Sequence, residues 1–142
     1  VFERNKDGAD NWGQVDKLLA SDMAAGDEFG QSVAISGDTV VVGAHGEDAG
    51  SFLPNRGSAY VYERNEGGGD DWGQVTKLTA SGAAMNDYFG YSVSISDDTV
   101  IVGAYGKDGG LFSPDHGAAY VYNWKPFDSG WYLFLPLVAN DD

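Results

Sequence analysis

The residues in this chain able to do chemistry are serines, carboxylates and two histidines, and their spacing argues against a catalytic centre. Gly30-Gln31-Ser32-Val33-Ala34 and Gly90-Tyr91-Ser92-Val93-Ser94 carry the first part of a Gly-x-Ser-x-Gly nucleophile elbow, but the closing glycine is missing and no helical pattern follows. A serine nucleophile also needs a base. The two histidines, His45 and His116, stand where the other copy of an internal repeat holds Tyr105 and Arg56, so chemistry shared by both copies cannot run through them. The sequence contains no cysteine, phosphate-binding loop, dinucleotide fingerprint or His-x-x-x-His pair. We therefore read the chain as non-enzymatic.

The carboxylates recur in a more suggestive place. The loop 45–55 holds Asp48, Gly50 and Asn55, and its copy 105–115 holds Asp108, Gly110 and Asp115. Oxygen-bearing side chains on such loops suit a hard cation, so Asp48, Asn55, Asp108 and Asp115 are candidate ligands for Ca²⁺, the one cofactor considered. The competing role is turn capping, in which a carboxylate accepts from nearby backbone; Asp27 and Asp87 are read that way outright. Trp12, Trp72 and Trp131 each follow a polar linker and open a strand-like run. Exposed, these indoles could stack on sugar rings with avidity from repetition; buried, they would anchor a strand edge against a neighbouring sheet.

What must position these residues is a repeat. Residues 1–60 lie over residues 61–120 without a gap, with about 36 of 60 positions identical, so one supersecondary unit is used twice. Within each unit apolar residues alternate with polar ones, as in Ser32-Val33-Ala34-Ile35-Ser36, and β-branched and aromatic residues are enriched. We expect strands over 29–36, 39–44, 58–64 and 74–80, and again over 89–96, 99–104, 118–124 and 132–139. Gly37-Asp38 and Asp97-Asp98 provide tight hairpin turns. The runs 39–43 and 99–103 are continuously apolar, which predicts strands covered on both faces. Small four-stranded sheets stacked face to face make an all-β architecture of β-propeller-type blades. Residues 29–80 form one blade, 89–139 a second with an apolar last strand, and 1–20 a half-blade holding only two outer strands, at 1–4 and 14–20.

The ordered set Phe29-Gly30, Gly43-Ala44 and then Phe89-Gly90, Gly103-Ala104 resembles the FG-GAP repeat of the integrin α-subunit propeller, in its bacterial form. The usual Pro after Gly-Ala is replaced by His45 and Tyr105. The resemblance covers nearly the whole chain and implies an extracellular or cell-surface protein. Glycines at Gly30, Gly43, Gly90 and Gly103 allow backbones to approach, and the preceding aromatics wedge between blades.

Composition narrows the partners. Twenty-two acidic against 8 basic residues give a net charge of −14, and the basic residues are scattered singly. Nucleic acid would be repelled, and nothing in the sequence suits membrane insertion. Two and a half blades cannot close a ring, so we expect apolar faces covered by other copies of the chain or by further blades of a longer chain. The leading reading is a non-catalytic structural or adhesive repeat protein. A ligand-binding module for an extracellular protein or glycan, and an accessory domain of a secreted hydrolase, are the alternatives.

Overall fold

Short strands need neighbours to satisfy their backbone, and here each strand of a sheet runs antiparallel to the one before it, joined by tight turns in some places and by long loops in others. The computed structural model describes residues 1–5, 8–48, 54–69, 71–107, 115–126 and 132–137, among which every regular element is a strand. β1 (Phe2–Arg4) and β2 (Trp12–Gln14) form a two-stranded ladder. β3 (Ser32–Ser36), β4 (Thr39–Ala44), β5 (Ser58–Gly68) and β6 (Asp71–Leu78) form an antiparallel sheet. A second is built from β7 (Phe89–Ser96), β8 (Thr99–Ala104), β9 (Ala118–Pro126) and β10 (Tyr132–Leu137). Spatial order follows chain order in each, the meander of a propeller blade. The tight turns hold Gly37 at φ 55° and Asp97 at φ 47°, in the left-handed region such hairpins use.

Several boundaries differ from expectation: β6 spans Asp71–Leu78 rather than 74–80, β9 reaches Pro126 rather than residue 124, and three others follow want or gain of a pairing partner. β3 starts at Ser32 rather than at residue 29, whereas β7 starts at Phe89. Phe89 is held by a parallel bridge to Gly57 of the preceding blade, and Phe29 has no such neighbour among the described residues. In the half-blade the strand is Trp12–Gln14, not 14–20. In the complete blade Thr76 and Leu78 pair with Val61 and Ala59, and the counterpart of Ala59 would lie ahead of Val1. Beyond Arg64, β5 continues through polar residues because ladder hydrogen bonds do not require apolar side chains.

The middle strands of the first blade, β4 and β5, are buried on both faces, whereas Val33 and Ile35 of β3 are 64% and 59% exposed. Val40, Val42, Tyr60, Tyr62 and Trp72 pack with Leu18 and Ala20 of the half-blade. Val41, Ala59, Val61 and Leu78 meet Phe89, Val100, Val102 and Tyr122 of the second blade. Full burial of a valine contributes about 1.5–3 kcal/mol, so this central interface dominates stability. The second blade is covered on one face only: Val41 is 0% exposed but its counterpart Ile101 is 43% exposed, so the run 99–103 is not buried on both faces as expected. No sheet among the described residues lies on that side.

Each blade repeats an aromatic triad. Phe29 meets Tyr60 and Tyr62 edge-on at 5.6 and 6.3 Å, and Phe89 meets Tyr120 and Tyr122 at 5.4 and 6.2 Å. The phenols reach backward: Tyr62 donates to the carbonyl of Leu19 at 2.9 Å and Tyr122 to that of Thr79 at 3.0 Å. Burial, with Tyr120 nearby, pushes the Tyr122 phenol up to about 12, and burial likewise raises Tyr60 and Tyr62. A raised phenol pKa contributes stability that is whole below the ordinary value of 10.0 and is lost as pH rises through the folded value. The melting temperature should therefore fall progressively above pH 10.0. The buried phenols should ionise only as the sheets unfold, followed by phenolate absorbance against circular dichroism. Full ionisation of all tyrosines with the sheets intact would contradict this packing.

Candidate functional site

β4 ends in Gly43-Ala44 and β7 begins with Phe89-Gly90, and these segments meet main chain to main chain. A Cβ at Gly43 would overlap the carbonyl oxygen of Gly90, and one at Gly90 would overlap that of Ser58. Ser32 Oγ donates to the Gly90 carbonyl at 2.7 Å, and Phe89 N donates to the Arg56 carbonyl at 3.0 Å. Gly90 stands at φ 89°, where a side chain would be strained. Ser32, Gly43, Ala44, Gly57 and Ser58 thus form a socket on the first blade that receives the Phe-Gly turn of the second. The serine of the incomplete elbow motif is a docking donor.

The repeat builds the same socket on the second blade from Ser92, Gly103, Ala104, Gly117 and Ala118, with Tyr91, Tyr105 and His116 beside it. Among the described residues nothing fills it, leaving a cavity of about 460 Å³. A Cβ at Gly103 would crowd only the Ser92 side chain. The expectation that Gly103 abuts a neighbouring backbone as Gly43 does is therefore corrected. The sheet around the socket is open too, since Ala119 is exposed where Ala59 is buried. At the opposite end Phe29 is half-buried and Gly30 exposed, whereas Phe89 and Gly90 are buried.

The remaining candidates separate. Asp48 Oδ1 accepts from the Asn55 backbone N–H at 2.7 Å, so this carboxylate caps its own loop. The Asn55 amide donates to Asn86 Oδ1 at 2.9 Å, tying that loop to the next blade. Asp115 is exposed, and Asp108 lies outside the described residues. Among the described residues no three His, Cys, Asp or Glu gather to hold a metal ion. Asp27 and Asp87 are turn caps, accepting from Ala24 N at 2.6 Å and Ala84 N at 2.7 Å. Trp72 is 8% exposed and Trp12 66%, because the half-blade covers the first and no sheet among the described residues covers the second; Trp131 lies outside the described residues.

Two clusters escaped the sequence reading because their members differ between the copies. Lys77 Nζ bonds Asp22 Oδ2 at 2.7 Å and Glu47 Oε1 at 2.9 Å, while Tyr60 donates to Asp22 Oδ1 at 2.8 Å. Burial works against the Lys77 charge, but the hydrogen bonds to Asp22 and Glu47 prevail and its pKa is raised; the same Lys77 bond lowers Asp22. At the other cluster His45 pairs with Glu28 at 2.9 Å and lies against Tyr88 and Tyr91, with Tyr105 stacked on Tyr88. The one available signal was that Asp22, Glu28, His45, Glu47 and Tyr88 lie on loops near the Phe-Gly turns, while Lys77 and Tyr60 lie on strands.

A family model described as the FG-GAP repeat matches residues 12–62 and again residues 72–122. No curated protein matches the chain.

The two sockets give a contrast within one molecule. Gly43→Ala should destabilise the fold by several kcal/mol or prevent its formation, since Gly90 cannot retreat without separating the blades. Gly103→Ala should stay within about 0.5 kcal/mol of the parent, as an open surface position does. Urea unfolding of both variants checks this, and equal losses would contradict the difference between filled and open sockets. Asp48→Ala should cost about 1 kcal/mol through the lost loop cap, equally in Ca²⁺ and in chelator. A loss confined to Ca²⁺ would instead make Asp48 a ligand.

Proposed function

Because the chain belongs to the FG-GAP repeat family, we propose that it is a non-catalytic structural module of the extracellular space, working by stacking further blades of its own kind. Repeats of this family usually occur in extracellular, generally non-catalytic proteins. No helix among the described residues is long and apolar enough to cross a membrane. The observation that carries the reading is the pair of equivalent sockets, one filled by Phe89-Gly90 and one open. An apolar sheet face with an open backbone socket takes a Phe-Gly turn at least as readily as it takes solvent, and Ile101, Ala119 and Val121 gain the cover that Val41, Ala59 and Val61 already have. The incoming blade comes from another copy or from further sequence of a longer chain. Such contacts are heterologous, closing into rings or running into filaments according to the rotation per step.

An adhesive role follows if assembled blades present their loops outward. A glycan-binding role has weaker support, because Trp72 is buried and only Trp12 of the described pair is exposed.

The test is sedimentation of the full chain across micromolar concentrations. The parent should self-associate, and Gly103→Ala should weaken this at least roughly tenfold by closing the socket while leaving the monomer folded. A parent that remains monomeric throughout, or a Gly103→Ala chain that associates as well as the parent, would overturn stacking through this face.

A further inference from the structure

The second blade carries a cluster of phenols that the first blade lacks. Tyr91 and Tyr105 are 45% and 52% exposed, and their rings meet at 4.6 Å between centroids with planes inclined at 65°. Tyr88 stacks on Tyr105 at 4.9 Å with the planes nearly parallel, at 9°. The first blade holds Glu28, Gln31 and His45 at the corresponding positions and keeps the same strand order, so the blade itself does not require the phenols. Other tyrosines are engaged elsewhere: Tyr60, Tyr62 and Tyr122 are buried and donate to Asp22 and to the carbonyls of Leu19 and Thr79. Among the described residues Tyr91 and Tyr105 are thus the one pair of tyrosines both exposed and in ring contact. Tyr91 follows Phe89-Gly90 and Tyr105 follows Gly103-Ala104. Phe89 pairs with Ala104 and Ser92 with Gly103, so Gly90 and Tyr91 fall in a bulge where the ladder between β7 and β8 is interrupted. A bulge re-aims a side chain, and here Tyr91 meets Tyr105 beside the gap.

We propose that Tyr91 and Tyr105 are a site of oxidative coupling, which a one-electron oxidant such as the high-valent haem of a peroxidase closes into a dityrosine clasping the bulge of the second blade. Each phenol gives up one electron and one proton, and hydrogen peroxide, the terminal oxidant, takes both electrons and both protons to become two waters. The two phenoxyl radicals join through ring carbons ortho to oxygen, forming one C–C bond. The hydrogen on each of those carbons then moves to the phenol oxygen, which restores both aromatic rings. Such a bond joins ring edges, and an inclined pair presents an edge where a parallel stack does not, so Tyr91 is the partner and Tyr88 holds Tyr105 in place. On the far side of Tyr91, His45 of the first blade stands edge-on at 5.2 Å and restrains the other ring. With no cysteine in the sequence, a disulfide cannot supply this tie. Both tyrosines belong to the second blade and touch within it, so the inference does not rest on the stacking reading.

The experiment treats the full chain with a haem peroxidase and limiting hydrogen peroxide, and reads dityrosine fluorescence, intact mass and proteolytic peptides. We expect a single chain lighter by two hydrogen atoms, with one cross-linked peptide pair joining Tyr91 to Tyr105. Tyr91→Phe and Tyr105→Phe, both at exposed positions and so expected to leave the fold intact, should each abolish the fluorescence and the mass change, whereas Tyr88→Phe should couple as the parent does. The coupled chain should melt higher by roughly 5–10 °C, because the bond closes a loop that the unfolded chain would otherwise leave free. Coupling that survives in Tyr91→Phe, or that is lost in Tyr88→Phe, would place the bond elsewhere and overturn the proposal. Covalent dimers with no cross-link inside a single chain would overturn it as well, and an unchanged melting temperature in the coupled chain would overturn the clasp.

Discussion

The second blade can lie against the first only as closely as two main chains permit, where the Gly90 carbonyl sits in the space any side chain at Gly43 would fill. That contact sets the spacing of the sheets. With it in place, Phe89 is buried, Val41 and Val61 meet Val100 and Val102, and Ser32 satisfies a carbonyl that the close approach shuts away from water. Without it the sheets would stand apart, and interior packing tolerates no such gap. The Gly-Ala pair of one repeat and the Phe-Gly pair of the next are thus two halves of one joint.

A joint with two halves implies direction. The first blade offers its socket to the second, and the second offers the same socket onward, so the stack is polar from one end to the other. Within the chain the two complete blades meet as preformed faces, each sheet keeping the same strand order in its own meander. The polar groups at the joint are mostly backbone, which tolerates variation in the side chains around it. This explains how Ser58 can stand opposite Ala118 in the alignment while the geometry persists.

Around the joint the two repeats have diverged in their charges. The first blade braces its outer strand with Lys77 between Asp22 and Glu47, whereas in the second Lys107 bonds the Gly82 carbonyl and Asp87. Lys77 stands between two carboxylates that would otherwise repel one another, and Lys107 partners the single buried carboxylate of Asp87, in a chain of charge −14. The ammonium has moved from a strand to a loop, and the sheets have not.

Most of the architecture was legible in the residues themselves. Alternation marked the strands, Gly37-Asp38 and Asp97-Asp98 marked the hairpins, and the ungapped repeat established that whatever one unit does the other can do. Those features are local, and local backbone preference is what a sequence encodes most directly. Burial was not legible, because it depends on neighbours. Val41 and Ile101, Trp72 and Trp12, Gly43 and Gly103 are equivalent pairs by sequence, yet one member of each is enclosed and the other open or only lightly covered. Likewise Asp48 offered the same oxygens to a cation or to its own loop, and only the folded loop brought the Asn55 N–H to it. The sequence by itself determined the unit and its joint. The tertiary structure decided which copies of that joint are closed, since closure requires a second surface that no stretch of sequence carries within itself.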